Sequence, residues 1–114
     1  MENIIFNELR YRGFSVDVGV VEVSEKSESG AYRRKQTEID FVANRGNQRY
    51  YLQSAFTLRS EEKKNQEKRP LLNVRDSFRK ILIVRDPILL RRDENGLVTM
   101  GIKEFLSDEA SLDR

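Results

Sequence analysis

The stretch Glu38–Phe56, EIDFVANRGNQRYYLQSAF, decides how the chain folds, because it reads as two strands turned back on each other. Gly46-Asn47 interrupts the run, and Gly at the first central position suits the tight two-residue turn that a hairpin prefers. If Arg45 faces Gln48, every opposed pair sums to the same value, so Asp40 comes to lie opposite Gln53. Side chains alternate along a strand, so Glu38, Asp40, Gln53 and Ala55 are expected on one face. Ile39, Phe41, Tyr50, Leu52 and Phe56 are expected on the other, as the core side. One acid set against an amide and a methyl group is a sparse arrangement for a catalytic face.

Outward from this hairpin, the 114 residues suit one domain spanning residues 1–114, with a single modest core. Charged residues make up 35% of the chain and hydrophobic ones 38%, so the core must come from a few concentrated apolar runs. The 21 Lys and Arg are nearly balanced by 19 Asp and Glu, and a net charge of +2 lacks the basic excess of a dedicated nucleic-acid binder. The absence of Cys and His excludes thiolate or imidazole nucleophiles, His bases, zinc fingers and Cys-His metal sites. Chemistry is left to carboxylates, Lys, Arg, Tyr, Ser and Thr. No apolar run approaches the ~18 residues of a membrane span and none sits near the start as a signal segment would, so a cytoplasmic location without membrane partners is expected.

Ile4, Ile5 and Leu9 in ENIIFNELRYRG are spaced for one helix face, and Gly13 stands where a C-terminal cap belongs, which predicts a helix over Asn3–Arg12. FSVDVGVVEV alternates and is rich in Val, predicting a strand in which Gly19 marks a bulge. SEKSESGAY is polar and expected to be a loop. LRSEEKKNQEKR predicts a helix over Ser60–Arg69 ended by Pro70, with a connector that sends Leu71, Leu72 and Val74 to the core. The continuous apolar run Ile81–Val84 predicts a strand buried on both faces. ILLRRDENG reads as an edge strand or arm leading to a turn, LVTMGIKEFLSD as a short strand followed by a helical turn, and SDEASLDR as a frayed end. The fold class is therefore α/β: one mixed central sheet flanked by helices, with an αβββαβ core.

A hairpin bearing an acid on one strand and acid-x-Lys on the next, behind a helix carrying Glu, is the pattern of the PD-(D/E)xK nucleases, and this sequence resembles it. The ordered set ENIIFNELRYRGFSVDVG, TEIDFVA, RYYLQSAF, EKRPLLNVRDSFRKILIV and GIKEFL resembles a narrower family. That family is the C-terminal domain attached to many bacterial and archaeal P-loop ATPases, often labelled domain of unknown function 4143. The resemblance implies a restriction-endonuclease-like sheet and makes the chain a C-terminal part of a larger ATPase. The N-terminal ATPase domain would then be its first partner, although no G-x-x-x-x-G-K-[ST] loop occurs here to bind ATP.

In nucleases of this kind the acids hold Mg²⁺, which organises the attacking water and the scissile phosphate, and the Lys stabilises charge. Residue by residue, Asp40 matches the metal-binding Asp, Gln53 stands in place of the second acid, Ala55 in place of the Lys, and Glu2 matches the helix Glu. These four are expected to be vestigial positions, with no cofactor bound. If an active metal-dependent endonuclease survives instead, Mg²⁺ binds at Asp40, and a Lys or Arg from elsewhere, for example Lys35 or Lys64, replaces the missing cation. Each residue also has a plainer role: Asp40 as an acid on a solvated face, Gln53 as a hydrogen-bond partner of backbone or Asp40, and Glu2 as a favourable charge at a helix start. Arg33, Arg34, Lys35, Arg91 and Arg92 are the candidate phosphate contacts for DNA or RNA. A third alternative is a docking or oligomerisation module, which predicts an exposed apolar patch.

Overall fold

A computed structural model describes residues 1–26, 28–55 and 61–114, with the side chains of 23–26, 35 and 61–65 outside the description. In chain order the elements are α1 (Glu2–Tyr11), β1 (Ser15–Lys26), β2 (Tyr32–Arg45), β3 (Gln48–Ala55), α2 (Glu61–Leu72), β4 (Arg79–Val84), β5 (Arg91–Arg92), β6 (Val98–Gly101) and α3 (Ile102–Ser107). A 3-10 turn over Ser111–Asp113 closes the chain. The strands form one six-stranded sheet in the order β1-β2-β3-β4-β6-β5. The first three are antiparallel, β4 runs parallel to β3 and to β6, and β5 is antiparallel to β6. The chain thus opens with the expected αβββαβ order, and the class is mixed α/β with helices on the sheet.

Two apolar layers hold helices to the two faces. Ile5 and Leu9 of α1, one turn apart, are fully buried with Phe41, Tyr50, Leu52, Ile81, Ile83 and Phe105 on one face. Leu71 of α2 is buried with Ile39, Tyr51, Ala55, Leu82 and Val84 on the other. The continuous run of β4 therefore reads as expected: odd residues meet the α1 layer and even ones the α2 layer. α1 ends as Gly13 implies, with φ of 91° and two closing bonds, Gly13 N–H to the Arg10 carbonyl and Phe14 N–H to that of Leu9.

Several expectations are corrected. The polar SEKSESGAY segment is a loop only in its middle: pairing of β1 with β2 continues through Ser24↔Arg34 and Glu25↔Arg33 to Lys26↔Tyr32, and Glu28–Ala31 lie outside the strands. Pro70 does not end α2. It lies in the last turn, where one N–H is missing but the Asn73 N–H still reaches the Arg69 carbonyl at 3.1 Å, and buried Leu71 holds that turn on the sheet. The start of this helix at Ser60 and the core role of Phe56 lie outside the described residues. Leu71 and Val74 do join the α2 layer, but Leu72 is 43% exposed.

Faces and the chain end also differ from expectation. Ile39 and Phe41 do not share a face, because β2 carries a bulge: Asp17 pairs Val42 and Gly19 pairs Ile39, so Asp40-Phe41 together oppose Val18. Gly19 marks the place, but the extra residue sits on its partner strand. SDEASLDR is not frayed, since Ser111 and Leu112 are buried and the Arg12 guanidinium bonds Ser111 Oγ and the carbonyls of Phe105 and Asp108. No helix among the described residues is long and apolar enough to cross a membrane.

Candidate functional site

The hairpin register is the expected one from Arg45↔Gln48 to Phe41↔Leu52. Gly46 has φ of 60° while Asn47 keeps a negative φ, as a turn with Gly at its first central position requires. Beyond Phe41 the bulge carries β2 away from β3, and the backbone ladder stops. Side chains take over where it stops: Gln53 Oε1 accepts the Asp40 N–H at 3.0 Å, and Asp40 Oδ2 accepts the Ser54 N–H at 2.9 Å. Asp40 and Gln53 therefore satisfy each other's strand in place of two ladder bonds.

The same Asp40 oxygen also accepts from Ser54 Oγ at 2.8 Å. Glu2, in the first turn of α1, brings Oε1 to 3.4 Å from that hydroxyl. A serine hydroxyl has one proton to donate, so the shorter contact is the bond and Glu2 waits at its edge. The result is a small polar cluster where β2 and β3 separate: Glu2, Ser54 and Asp40 meet on the α1 side, and Gln53, which follows Tyr51 in the alternation of β3, joins through the Asp40 N–H. Ser54 is its centre, and sequence reasoning passed over it because a serine between Gln and Ala carries no motif.

Ala55 is not part of the cluster. It is 6% exposed and packs with Ile39, Leu82 and Val84 in the α2 layer. The expectation that Glu38, Asp40, Gln53 and Ala55 share one face therefore fails, again because the bulge resets the alternation at Asp40. Tyr50 and Tyr51 do divide between the faces, and both are buried.

The donors present do not fit a Mg²⁺ ion. One Asp40 oxygen already accepts twice, the Gln53 oxygen is committed to backbone, and Glu2 reaches the cluster only through Ser54. Among the described residues no three acidic or other metal-binding side chains gather in one place. The side chains of Lys35 and Lys64, the two candidate replacement cations, lie outside the described residues.

The arginines expected to contact phosphate are not brought together. Arg33 and Arg34 lie on the long β1–β2 arm, opposite Glu25 and Ser24 in the register. Arg91 and Arg92 form β5 at the far edge of the sheet, beside Thr99 and Val98. Other cations cluster where β3 and β4 begin: Arg49 and Arg79 border Phe78, and Lys80 sits 5.6 Å from the Tyr51 ring. Asp76 lies among them, accepting from Tyr51 Oη at 2.5 Å and from the Phe78 N–H at 3.0 Å, and pairing with Lys80 at 3.4 Å. Burial alone would raise the Asp76 carboxyl, but these three donors outweigh it and hold its pKa below the ordinary value. On the opposite edge β1 has no second neighbour among the described strands, and Val18 and Val20 are 64% and 58% exposed.

No family model matches the chain. It is 36% identical over 83 residues to a protein of Haemophilus influenzae that is described as uncharacterized, and the match covers 73% of this chain. The chain spans only about 17% of the length of that relative.

Proposed function

We propose that this chain is a nuclease-like domain that does not cleave, serving a larger P-loop ATPase by binding nucleic acid or a protein partner. The observation that carries the reading is how the Asp40 cluster is wired. At the place where a PD-(D/E)xK enzyme would hold metal and scissile phosphate, one Asp40 oxygen and the Gln53 oxygen are engaged by the backbone of Ser54 and Asp40. The position of the missing Lys, Ala55, is buried in the opposite layer. Glu2, at the edge of the cluster, meets Ser54 rather than Asp40, so the two carboxylates are not shown sharing a ligand. The αβββαβ order and the resemblance of the hairpin support a restriction-endonuclease-like fold. The much greater length of the Haemophilus relative is compatible with a domain that works within a longer protein.

The reading is tested by incubating the protein and an Asp40→Ala variant with single-stranded, duplex and branched DNA and with RNA, in Mg²⁺ or Mn²⁺. No metal-dependent cleavage by either protein is expected. Cleavage by the parent that disappears in Asp40→Ala would establish an active endonuclease instead.

A further inference from the structure

The end of the sheet opposite the Asp40 cluster is built differently. β3 and β4 both begin there, Tyr50 beside Arg79 and Tyr51 beside Lys80. An open depression of about 290 Å³ lies at this end, lined by Asp76, Phe78, Arg79, Lys80, Arg92 and Asn95 among others. Three of those residues are cations and one is an acid. Arg79 and Arg92 come from β4 and β5, yet both donate to one oxygen, the Arg114 carbonyl, Arg92 at 2.9 Å. Two guanidiniums that reach the same oxygen bring two positive charges together, as a seat for a phosphate requires.

Phe78 forms the wall of the depression and is 40% exposed, with the Arg49 guanidinium 5.7 Å from its ring centre. An exposed ring flanked by arginine, next to converging cations, offers a base a stacking surface and its phosphate a charged seat. A duplex keeps its bases stacked on each other and cannot use the ring. The Asp40 cluster differs, since two acids, Glu2 and Asp40, converge on Ser54 there and would repel a phosphate.

We infer that the chain binds single-stranded nucleic acid at the start of β3 and β4, with a base on Phe78 and phosphates at Arg79, Lys80 and Arg92, away from the old nuclease position. The inference rests on the reading of a non-cleaving domain and assigns its partner. Asp76 tempers the site by pairing with Lys80, which leaves the two arginines as the principal phosphate contacts.

The test is fluorescence anisotropy with labelled oligothymidylate and oligouridylate of about 15 nucleotides and a duplex control, across a salt series. Salt-dependent binding to single strands is expected. Arg79→Gln with Arg92→Gln should flatten the salt slope by about 1.4, at ~0.7 for each of two phosphates no longer neutralised. Phe78→Ala, which removes a half-exposed ring and leaves the core intact, should weaken binding about tenfold with the slope unchanged. Arg33→Gln with Arg34→Gln on the arm should change nothing. Absence of binding at low salt, preference for duplex, a loss carried by the arm pair, or an unaffected Phe78→Ala would each overturn the inference. Any of these results without cleavage leaves the non-cleaving reading standing, whereas Asp40-dependent cleavage removes that reading whatever the binding shows.

Discussion

Gly19 shows how one side chain, or its absence, sets the candidate site. A Cβ built there would stand 2.7 Å from Val42 Cγ2 and 3.2 Å from Ile39 Cβ, so the strands could not approach as they do. That approach is what the bulge requires, because Ile39 and Val42 are the two β2 residues that flank the extra one and meet the same face. Val42 has a short, stiff side chain and little room to turn away. Gly19→Ala is therefore expected to destabilise the protein by roughly 1–3 kcal/mol, the usual cost of overpacking, despite the lower entropy of the unfolded chain. Thermal denaturation checks this, and an unchanged or higher midpoint would show that the bulge tolerates the methyl group. At the same scale, Gln53 and Asp40 each accept a backbone N–H of the other's strand, a role that an amide oxygen fills as well as a carboxylate.

Among elements, α1 and the C-terminal segment are joined by one side chain. The Arg12 side chain is 3% exposed, pairs with Glu8 at 3.0 Å, stacks 4.6 Å from the Phe105 ring centre and donates to Ser111 Oγ and two carbonyls. Removing it leaves buried acceptors without donors, and hydrogen bonds from a charged group contribute about 1.5–3 kcal/mol each at most. Arg12→Ala is expected to lower stability by roughly 3 kcal/mol and to expose the last turn. Denaturant titration would show the loss, and faster hydrogen exchange confined to residues 105–114 would show where it falls. Equal exchange throughout would mean that Leu112 alone seats the segment. This arrangement could not be anticipated from SDEASLDR, whose composition reads as a loose end, because the anchoring residue is almost a hundred positions away.

For the whole molecule, charge is distributed unevenly along the sheet although the net value is only +2. Glu2 and Asp40 meet at Ser54 while Arg49, Arg79 and Lys80 gather at the start of β3 and β4, so a count of residues conceals a local concentration of positive charge. The chain end also links stability to pH. Tyr50, 5% exposed, has its pKa pushed up to about 12 by burial and by its bond to the Asp113 carboxylate. An unfolded tyrosine titrates near 10, so the folded state holds the proton longer and this stabilisation is fully present below about pH 10. It should fade as pH rises from about 10 to about 12. Chemical denaturation across that range in the parent and in Tyr50→Phe checks the sign: the parent should lose more stability than the variant.

Much of this architecture is legible in the sequence because it depends on local rules. Gly13, the Val-rich alternation, the Gly46-Asn47 turn and the Ile81–Val84 run each dictate an element through backbone conformation or side-chain periodicity, and their order gives the αβββαβ core. The hairpin register follows from the turn as far as Phe41. What happens at Asp40 is decided by a neighbour: β1 forces the extra residue into β2, which turns Asp40 toward Ser54 and Glu2 and leaves Ala55 in the other layer. Ser54, Phe78 and the convergence of Arg79 with Arg92 have no signature in sequence, since each acquires its partners from strands far along the chain. Periodicity and turn chemistry are properties of adjacent residues, and the sequence determines them alone. Which charges meet, which acceptors are spent and which end of the sheet is basic are properties of packing, and only the tertiary structure decides them.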